Sequence, residues 1–249
     1  MQVYLPPSLR HFDKNFKILS SWIDHVPFGY DLVESLRPEI TVELGTHEGL
    51  SFYTFCQSII DHHIDGVCYA VDTWEGEQHA GKYDDSVFLK VRDFCRENYP
   101  GCSYLMRMYF EEAKNHFDSE TVDLIHIDGL HTYDAARQDY EAWYPKLKKG
   151  GVMLFHDITA RRDDFGVWRL WSELEANDDV DTFHFKHGYG LGVVRKRGVE
   201  LSQKSCLLNI MFNGSAEDQE MLRAFYVMAA KYNTVKHRAA SVTLNKLKK

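Results

Sequence analysis

Five apolar, β-branched runs, ITVEL, VCYAV, SYLMR, VDLIHI and GVMLFH, alternate with the longer helix-patterned stretches SFYTFCQSIIDHH, DSVFLKVRDFCRENY, FEEAKNHF and YDAARQDYEAWYPKL. Nearly continuous apolar runs suit strands buried on both faces, and the helices between them return the chain for parallel pairing. Right-handed crossovers then make the sheet doubly wound. The rhythm changes after Asp157. FGVWRLWSELEA reads as a helix, and TFHFKHG and LGVVRK, separated by Tyr189-Gly190, read as an antiparallel hairpin at the sheet edge. The expectation is an α/β fold with a mainly parallel, doubly wound, seven-stranded sheet, an edge hairpin, and extra N- and C-terminal helices.

The same pattern suggests three segments of one domain. Residues 1–38, with helix-like FKILSSWIDHV and YDLVESLR, form a cap. Residues 39–197 form the core, and residues 198–249 form a helix (AEDQEMLRAFYVMAAKY) and a basic tail bearing Lys236, Arg238, Lys246, Lys248 and Lys249. A chain of 249 residues, 44% of them hydrophobic, is long enough for one substantial core. Like-charged terminal segments are usually solvated and mobile. The net charge of -8 argues against a nucleic-acid groove, which relies on clustered Lys and Arg. The five cysteines form no CxxC pair, and no apolar run has the length of a leader core or membrane span. These features lead us to expect reduced thiols and a soluble, cytoplasmic protein acting on a small-molecule or glycan acceptor, with homo-oligomerisation left open.

In open α/β sheets, ligands bind outside the carboxyl ends of the strands. The first run ends in VELGTHEG, where Gly45 and Gly49 allow a tight turn and close ligand approach before a helix start. Two glycines are not the three-glycine dinucleotide fingerprint, and the turn alone is equally compatible with plain βα geometry. Asp72 closes the second run, where it can accept hydrogen bonds from ribose hydroxyls or cap the next turn. HIDGLHTY and LFHDI bring Asp128, His131, His156 and Asp157 to the same edge, a set that can hold a divalent ion or supply a general base. WEGEQHAGKYDD is a candidate lid, and Tyr109, Glu111 and Glu112 follow the third run.

The blocks VELGTHEG, AVDTWEGEQHAG, IHIDGLHTYDAARQDYEAWYPKLKKGGVMLFHD and FGVWRLWSEL, in this order, resemble a class I S-adenosylmethionine-dependent methyltransferase. The resemblance is to the bacterial group often linked to glycosyltransferases and related to macrolide-sugar O-methyltransferases, and covers about residues 20–196. It implies a Rossmann-like methyltransferase fold whose cofactor, S-adenosylmethionine, is held by Glu43, Gly45, Thr46, Gly49, Ser51, Asp72, Thr73, Tyr109 and Asp128. It further implies Asp128 and His131 as catalytic residues, with His131 as base. Asp128, His156 and Asp157 then stand as candidate ligands of a divalent metal. Related enzymes place two acids where this chain has His156-Asp157, and Mg²⁺ prefers oxygen ligands, so a softer metal or none is also compatible. The implied reaction is O-methylation of a sugar hydroxyl in bacterial glycan biosynthesis. The non-enzymatic alternative is a degenerate cofactor-binding domain supporting a glycosyltransferase partner. A metal-dependent phosphohydrolase and a nicotinamide oxidoreductase fit less well, since VMLFHD reads as a strand and the third glycine is missing.

Overall fold

The computed structural model describes residues 6–9, 18, 20–77, 81–202 and 205–247. Its strands are β1 (Ile40–Leu44), β2 (Val67–Asp72), β3 (Gly76–Glu77), β4 (Gly81–Lys82), β5 (Ser103–Arg107), β6 (Val122–Ile127), β7 (Leu147–His156), β8 (Val180–Phe185) and β9 (Leu191–Lys196). Its α-helices are α1 (Val26–Leu36), α2 (Leu50–Asp61), α3 (Asp85–Asn98), α4 (Phe110–Ala113), α5 (Tyr133–Trp143), α6 (Val167–Glu175), α7 (Cys206–Asn213) and α8 (Ala216–Leu247). Seven strands form one sheet in the order β5-β2-β1-β6-β7-β9-β8, and β3 and β4 pair separately. The pairs among β5, β2, β1, β6 and β7 are parallel, whereas β9 runs antiparallel to β7 and β8. The expected sheet, with its edge hairpin, is present.

Strand period two divides the sheet between two cores. Leu124, Val152 and Leu154 enter a core shared with α1, α2, α3, α7 and α8, while Ile125, Met153 and Phe155 enter a second with α5 and α6. Burying each such aliphatic or aromatic side chain contributes about 1.5–3 kcal/mol. Strand order reverses between β1 and β6, which opens the crevice where an α/β sheet takes its ligand.

Several local expectations need adjustment. The start expected as a helix is a 3-10 turn over Ser21–His25, and residues 10–17 and 19 of that region lie outside the described set. The hairpin link runs from Lys186 to Gly190 rather than being a two-residue turn. The stretch proposed as a lid contains the β3–β4 pair, with residues 78–80 outside the described set. Helix α7 was not foreseen, and α8 carries the backbone helically to Leu247 through much of the expected tail; Lys248 and Lys249 fall outside the described residues. Cys56, Cys68, Cys95 and Cys102 are buried, and all five cysteines are unbridged. Among the described residues, no helix is long and apolar enough to cross a membrane.

The two ends of the chain meet at Asp31 of α1. This carboxylate is fully buried and accepts hydrogen bonds from Ser8 N (2.7 Å), Ser8 Oγ (2.7 Å) and Tyr226 Oη of α8 (2.9 Å). Burial pushes its pKa up to about 7 against these three stabilising donors, from an ordinary 3.8. The folded protein therefore binds this proton more tightly than the unfolded chain. The stabilisation it provides is complete below about pH 4 and is lost as pH rises through 7. Urea unfolding across pH 4–8 should show wild-type stability falling more steeply with pH than that of Asp31→Asn, and parallel profiles would refute this assignment.

Candidate active site

The carboxyl ends of β1, β2 and β6 are joined by backbone. Gly45 N donates to Val71 O (3.0 Å), and Asp128 N donates to Leu44 O (2.9 Å). Gly45 has φ +88°, and a Cβ there would lie 2.2 Å from the Asp128 carbonyl oxygen. Only glycine satisfies both the dihedral and the approach.

Asp72 fixes the turn that follows. Its Oδ2 accepts from Thr46 N and His47 N, each at 2.9 Å, and its Oδ1 accepts from Trp74 N at 2.7 Å. A carboxylate has about four acceptor positions, so roughly one remains for a ligand. Capping the turn, one of the two readings of Asp72, is thus visible without any ligand. The same residue faces the adjacent cavity.

That cavity, about 540 Å³, has the size of a small-molecule site. It is lined by Gly45, Thr46, Gly49, Ser51, Asp72, Thr73, Tyr109 and Asp128, all from the expected cofactor set, and also by His131 and Asp157. Glu43 does not line it. The Glu43 carboxylate turns into the sheet interior, where Oε1 lies 2.9 Å from His126 Nδ1. Trp22 Nε1 donates to His126 Nε2 (3.2 Å), and since an indole nitrogen only donates, the His126 proton sits on Nδ1 and is given to Glu43. Burial raises the Glu43 pKa, and the bond from His126 opposes it.

Asp128, His131 and Asp157 offer ligand atoms within 4.8 Å of one another. His131 Nε2 lies 2.9 Å from Asp157 Oδ2 and 3.4 Å from Asp128 Oδ1. His156 is buried behind them, its Nδ1 3.4 Å from both Asp128 Oδ1 and Asp157 Oδ2. Its Nε2 lies 3.1 Å from Gly188 O, a carbonyl that can only accept, so Nε2 carries a proton and Nδ1 faces two acids. Burial lowers the pKa of each imidazole, but the carboxylates outweigh it, lifting His131 to about 9 and His156 to about 10. Burial in turn opposes ionisation of the acids, yet the imidazoles hold Asp128 well below its ordinary range and Asp157 below it. Two positive and two negative groups thus form a neutral cluster. Asp157 Oδ1 and His156 Nδ1 are buried without a well-formed hydrogen bond among the described residues.

The sequence reading missed the other walls. Ser20, Ser21 and Trp22 approach from the segment before α1 and Arg162 and Phe165 from the loop after β7; Tyr83, in contrast, belongs to the stretch expected as a lid. Phe165 stacks on His131 with centroids 4.6 Å apart, and Tyr83 stacks on His47 at 4.7 Å. No local spacing signals these contacts, because each is made by a distant segment folding back. Three other aromatic residues that follow the strand ends, Trp74, Tyr133 and Trp168, do not line the cavity. Trp74 is wholly buried against Phe88, Tyr133 bonds Glu173, and Trp168 bonds Phe165 O.

Residues 42–158 match the sequence model of a family described as "Methyltransferase domain". The matched residues run from within β1 to just past β7, a little under half of the chain. The chain is 42% identical over 187 residues to the uncharacterized protein y4gI of Sinorhizobium fredii (strain NBRC 101917 / NGR234), a match that covers 75% of this chain and 20% of that protein. It therefore spans about a fifth of that curated relative. The O-methyltransferase TomG of Streptomyces achromogenes, involved in tomaymycin synthesis and solved with SAM, superimposes with a TM-score of 0.56 at 13% identity, covering 77% of this chain and 94% of TomG. The SAH-bound methyltransferase PaMTH1 of Podospora anserina gives a TM-score of 0.55 at 14% identity, covering 77% of this chain and 85% of that one. The fold is the Rossmann-like methyltransferase fold.

The Asp72 geometry separates two roles experimentally. Asp72→Ala leaves the N–H groups of Thr46, His47 and Trp74 without their acceptor, which should cost about 1–3 kcal/mol of stability in ligand-free protein. Urea denaturation measures this. An unchanged midpoint would mean that the carboxylate serves a ligand alone.

Proposed function

We propose that this chain is an S-adenosylmethionine-dependent O-methyltransferase. Its proposed acceptor is a sugar hydroxyl of a bacterial glycan, or of its lipid-linked or nucleotide-linked precursor, and it acts in the cytoplasm beside a glycosyltransferase partner. The observation carrying the reaction type is one cavity that joins the glycine turn and Asp72 to Asp128, His131 and Asp157. The sugar acceptor and the glycosyltransferase link rest on the sequence resemblance. TomG, an O-methyltransferase of the same fold, supports the transfer to oxygen.

In this reading Gly45, Thr46, Gly49, Ser51, Asp72, Thr73 and Tyr109 hold the donor. The donor's sulfonium makes its methyl electrophilic, so the protein's task is alignment and removal of a proton. The acceptor oxygen bonds to the methyl carbon as the carbon–sulfur bond breaks, S-adenosylhomocysteine leaves, and the hydroxyl proton passes to His131 in the enzyme molecules whose imidazole is unprotonated, a fraction that grows as pH rises toward its pKa of about 9. Asp128 and Asp157 orient the imidazole, and Phe165 holds its ring plane.

The donor set also fits a divalent ion. Asp128, His156 and Asp157 bring mixed nitrogen and oxygen donors together, and the bond from His156 to Gly188 O fixes that ring as second-shell partners do in metal sites. Such a set favours a borderline ion such as Mn²⁺, Co²⁺ or Zn²⁺ over Mg²⁺. A bound ion would polarise the acceptor hydroxyl and weaken the carboxylates' hold on the His131 proton.

Calorimetry should show binding of S-adenosylmethionine and S-adenosylhomocysteine; binding of a nicotinamide dinucleotide in their place would overturn the assignment. His131→Ala should reduce labelled methyl transfer to a nucleotide-linked or lipid-linked sugar by about a hundredfold or more, with donor affinity nearly unchanged. Full turnover in this variant would remove His131 as base. Exhaustive chelation should lower the wild-type rate, with Mn²⁺ or Co²⁺ restoring it better than Mg²⁺. A rate indifferent to chelation would reject the metal.

A further inference from the structure

The strands that feed the cavity divide it into two halves. Gly45, Thr46, Ser51, Asp72 and Tyr109 follow β1, β2 and β5, whereas His131, Asp157, Arg162 and Phe165 follow β6 and β7, across the point where strand order reverses. The first half is assigned above to the donor, so the second faces the acceptor. Its charges balance among themselves except at one residue. Asp128 and Asp157 are matched by His131 and His156, but Arg162 makes no ion pair and no side-chain hydrogen bond among the described residues. It is the only Lys or Arg among the described residues that line the cavity. The remaining acids of the wall, Glu48 and Asp72, lie on the donor half, whose ligand carries a sulfonium.

The guanidinium is held in place by two rings. Arg162 Cζ lies 4.8 Å from the centroid of Phe165 and 5.5 Å from that of Tyr189. Stacking on aromatic faces fixes a guanidinium while leaving the N–H groups at its edge free to donate. Backbone anchors both platforms. Phe165 N donates to Arg162 O (3.1 Å), Gly166 N donates to His131 O (2.7 Å), and Phe165 bridges Thr132. Thr159 N donates to Tyr189 O (2.9 Å), which ties the hairpin link to the same loop. The ring under Arg162 is also the ring that stacks on His131, with centroids 4.6 Å apart. Guanidinium and proposed base are therefore separated by no more than these two stacking distances together, the reach of one sugar ring from a hydroxyl to a substituent on another carbon. Arg162 is exposed and Tyr189 half-exposed, so an anion bound there sits at the cavity mouth, and whatever it is linked to continues into solvent.

We infer that Arg162 binds a phosphoryl group attached to the acceptor sugar, which makes the substrate a diphosphate-linked sugar precursor and not an uncharged glycan. This rests on the reading of the site as a sugar O-methyltransferase. An Arg fork meets a phosphate bidentately, and an anion held one sugar ring from His131 selects which hydroxyl reaches the methyl group. Calorimetry on protein saturated with S-adenosylhomocysteine compares UDP-glucose, UDP-galactose and GDP-mannose with the farnesyl diphosphate-linked hexoses, glucuronic and galacturonic acids, and uncharged methyl hexosides. A phosphorylated set should bind, with affinity falling as salt is raised, and methyl hexosides should bind more weakly by about tenfold or more. Arg162→Gln should weaken binding of the phosphorylated sugar by about ten- to a hundredfold and flatten its salt dependence, with S-adenosylhomocysteine affinity and thermal midpoint unchanged. Arg162→Lys should recover part of the loss, since the charge remains without the planar fork. Tighter binding of the nucleotide set assigns a nucleotide carrier, and of the farnesyl set a lipid carrier, and either supports the inference. No binding of either phosphorylated set, a preference for the uronic acids or methyl hexosides, or equal affinity in Arg162→Gln would each overturn it while leaving the methyltransferase reading intact. Failure of wild type to bind S-adenosylhomocysteine would overturn that reading, and this inference with it.

Discussion

The contact between Gly45 and the backbone of Asp128 is the joint on which the site depends. At this point the turn leaving β1 and the loop leaving β6 approach so closely that a single Cβ would clash with the carbonyl oxygen, at 2.2 Å. The hydrogen bonds from Gly45 N to Val71 O and from Asp128 N to Leu44 O tie three neighbouring strand ends together. The cradle expected for a nucleoside and the loop that carries Asp128 and His131 are therefore parts of one rigid element. Reactant alignment within a fraction of an ångström requires that kind of support.

The second constraint is electrostatic. Placing Asp128, Asp157, His131 and His156 together is tolerable because their charges cancel, whereas removing one member would leave a buried charge uncompensated. Neutrality is bought with backbone from far away in sequence. Gly188 O, on the hairpin link, receives the Nε2 proton of His156, and His25 from the edge of α1 lies 3.1 Å from the same carbonyl. Burial and then the neighbouring His156 hold the His25 pKa well below normal, so His25 stays neutral beside the charge-balanced cluster. The N-terminal segment thus participates in the site through Trp22 and His25 instead of acting only as a cover.

The sheet was legible because its strands are continuous apolar runs separated by amphipathic helices, a pattern that survives without tertiary information. The residues at the strand ends were legible for the same reason: Gly45, Asp72, Asp128 and Asp157 are placed by strand periodicity alone. Contacts that depend on a side chain's direction were not. Glu43 sits at a strand end yet turns toward His126, since position 43 alternates to the side where Trp22 closes the core. Trp74 follows Asp72 by two residues and looks like a pocket wall, but its indole donates to His47 O and is wholly buried. Arg162 and Phe165 belong to a loop whose return path no local pattern encodes. The length of α8 was underestimated because its basic C-terminal composition resembles a solvated tail, whereas its backbone stays helical to Leu247.

Backbone strain marks the same edge of the sheet. His47, Trp74 and Asp157 are non-glycine residues at positive φ, with values of 48°, 52° and 61°, and follow β1, β2 and β7. Such conformations cost on the order of 1–3 kcal/mol each and persist only where surrounding contacts over-determine them. Those contacts are visible. Asp72 binds the N–H of both His47 and Trp74, the Trp74 indole locks the His47 carbonyl, and Asp157 is held by His131 and by the bond from Ala160 N to its carbonyl. The bonds that carry the strain lie within the protein, not across the cavity. The turn and the acidic cluster are consequently formed before any ligand arrives, and a donor or acceptor entering the cavity has little reorganisation of these strand ends to drive.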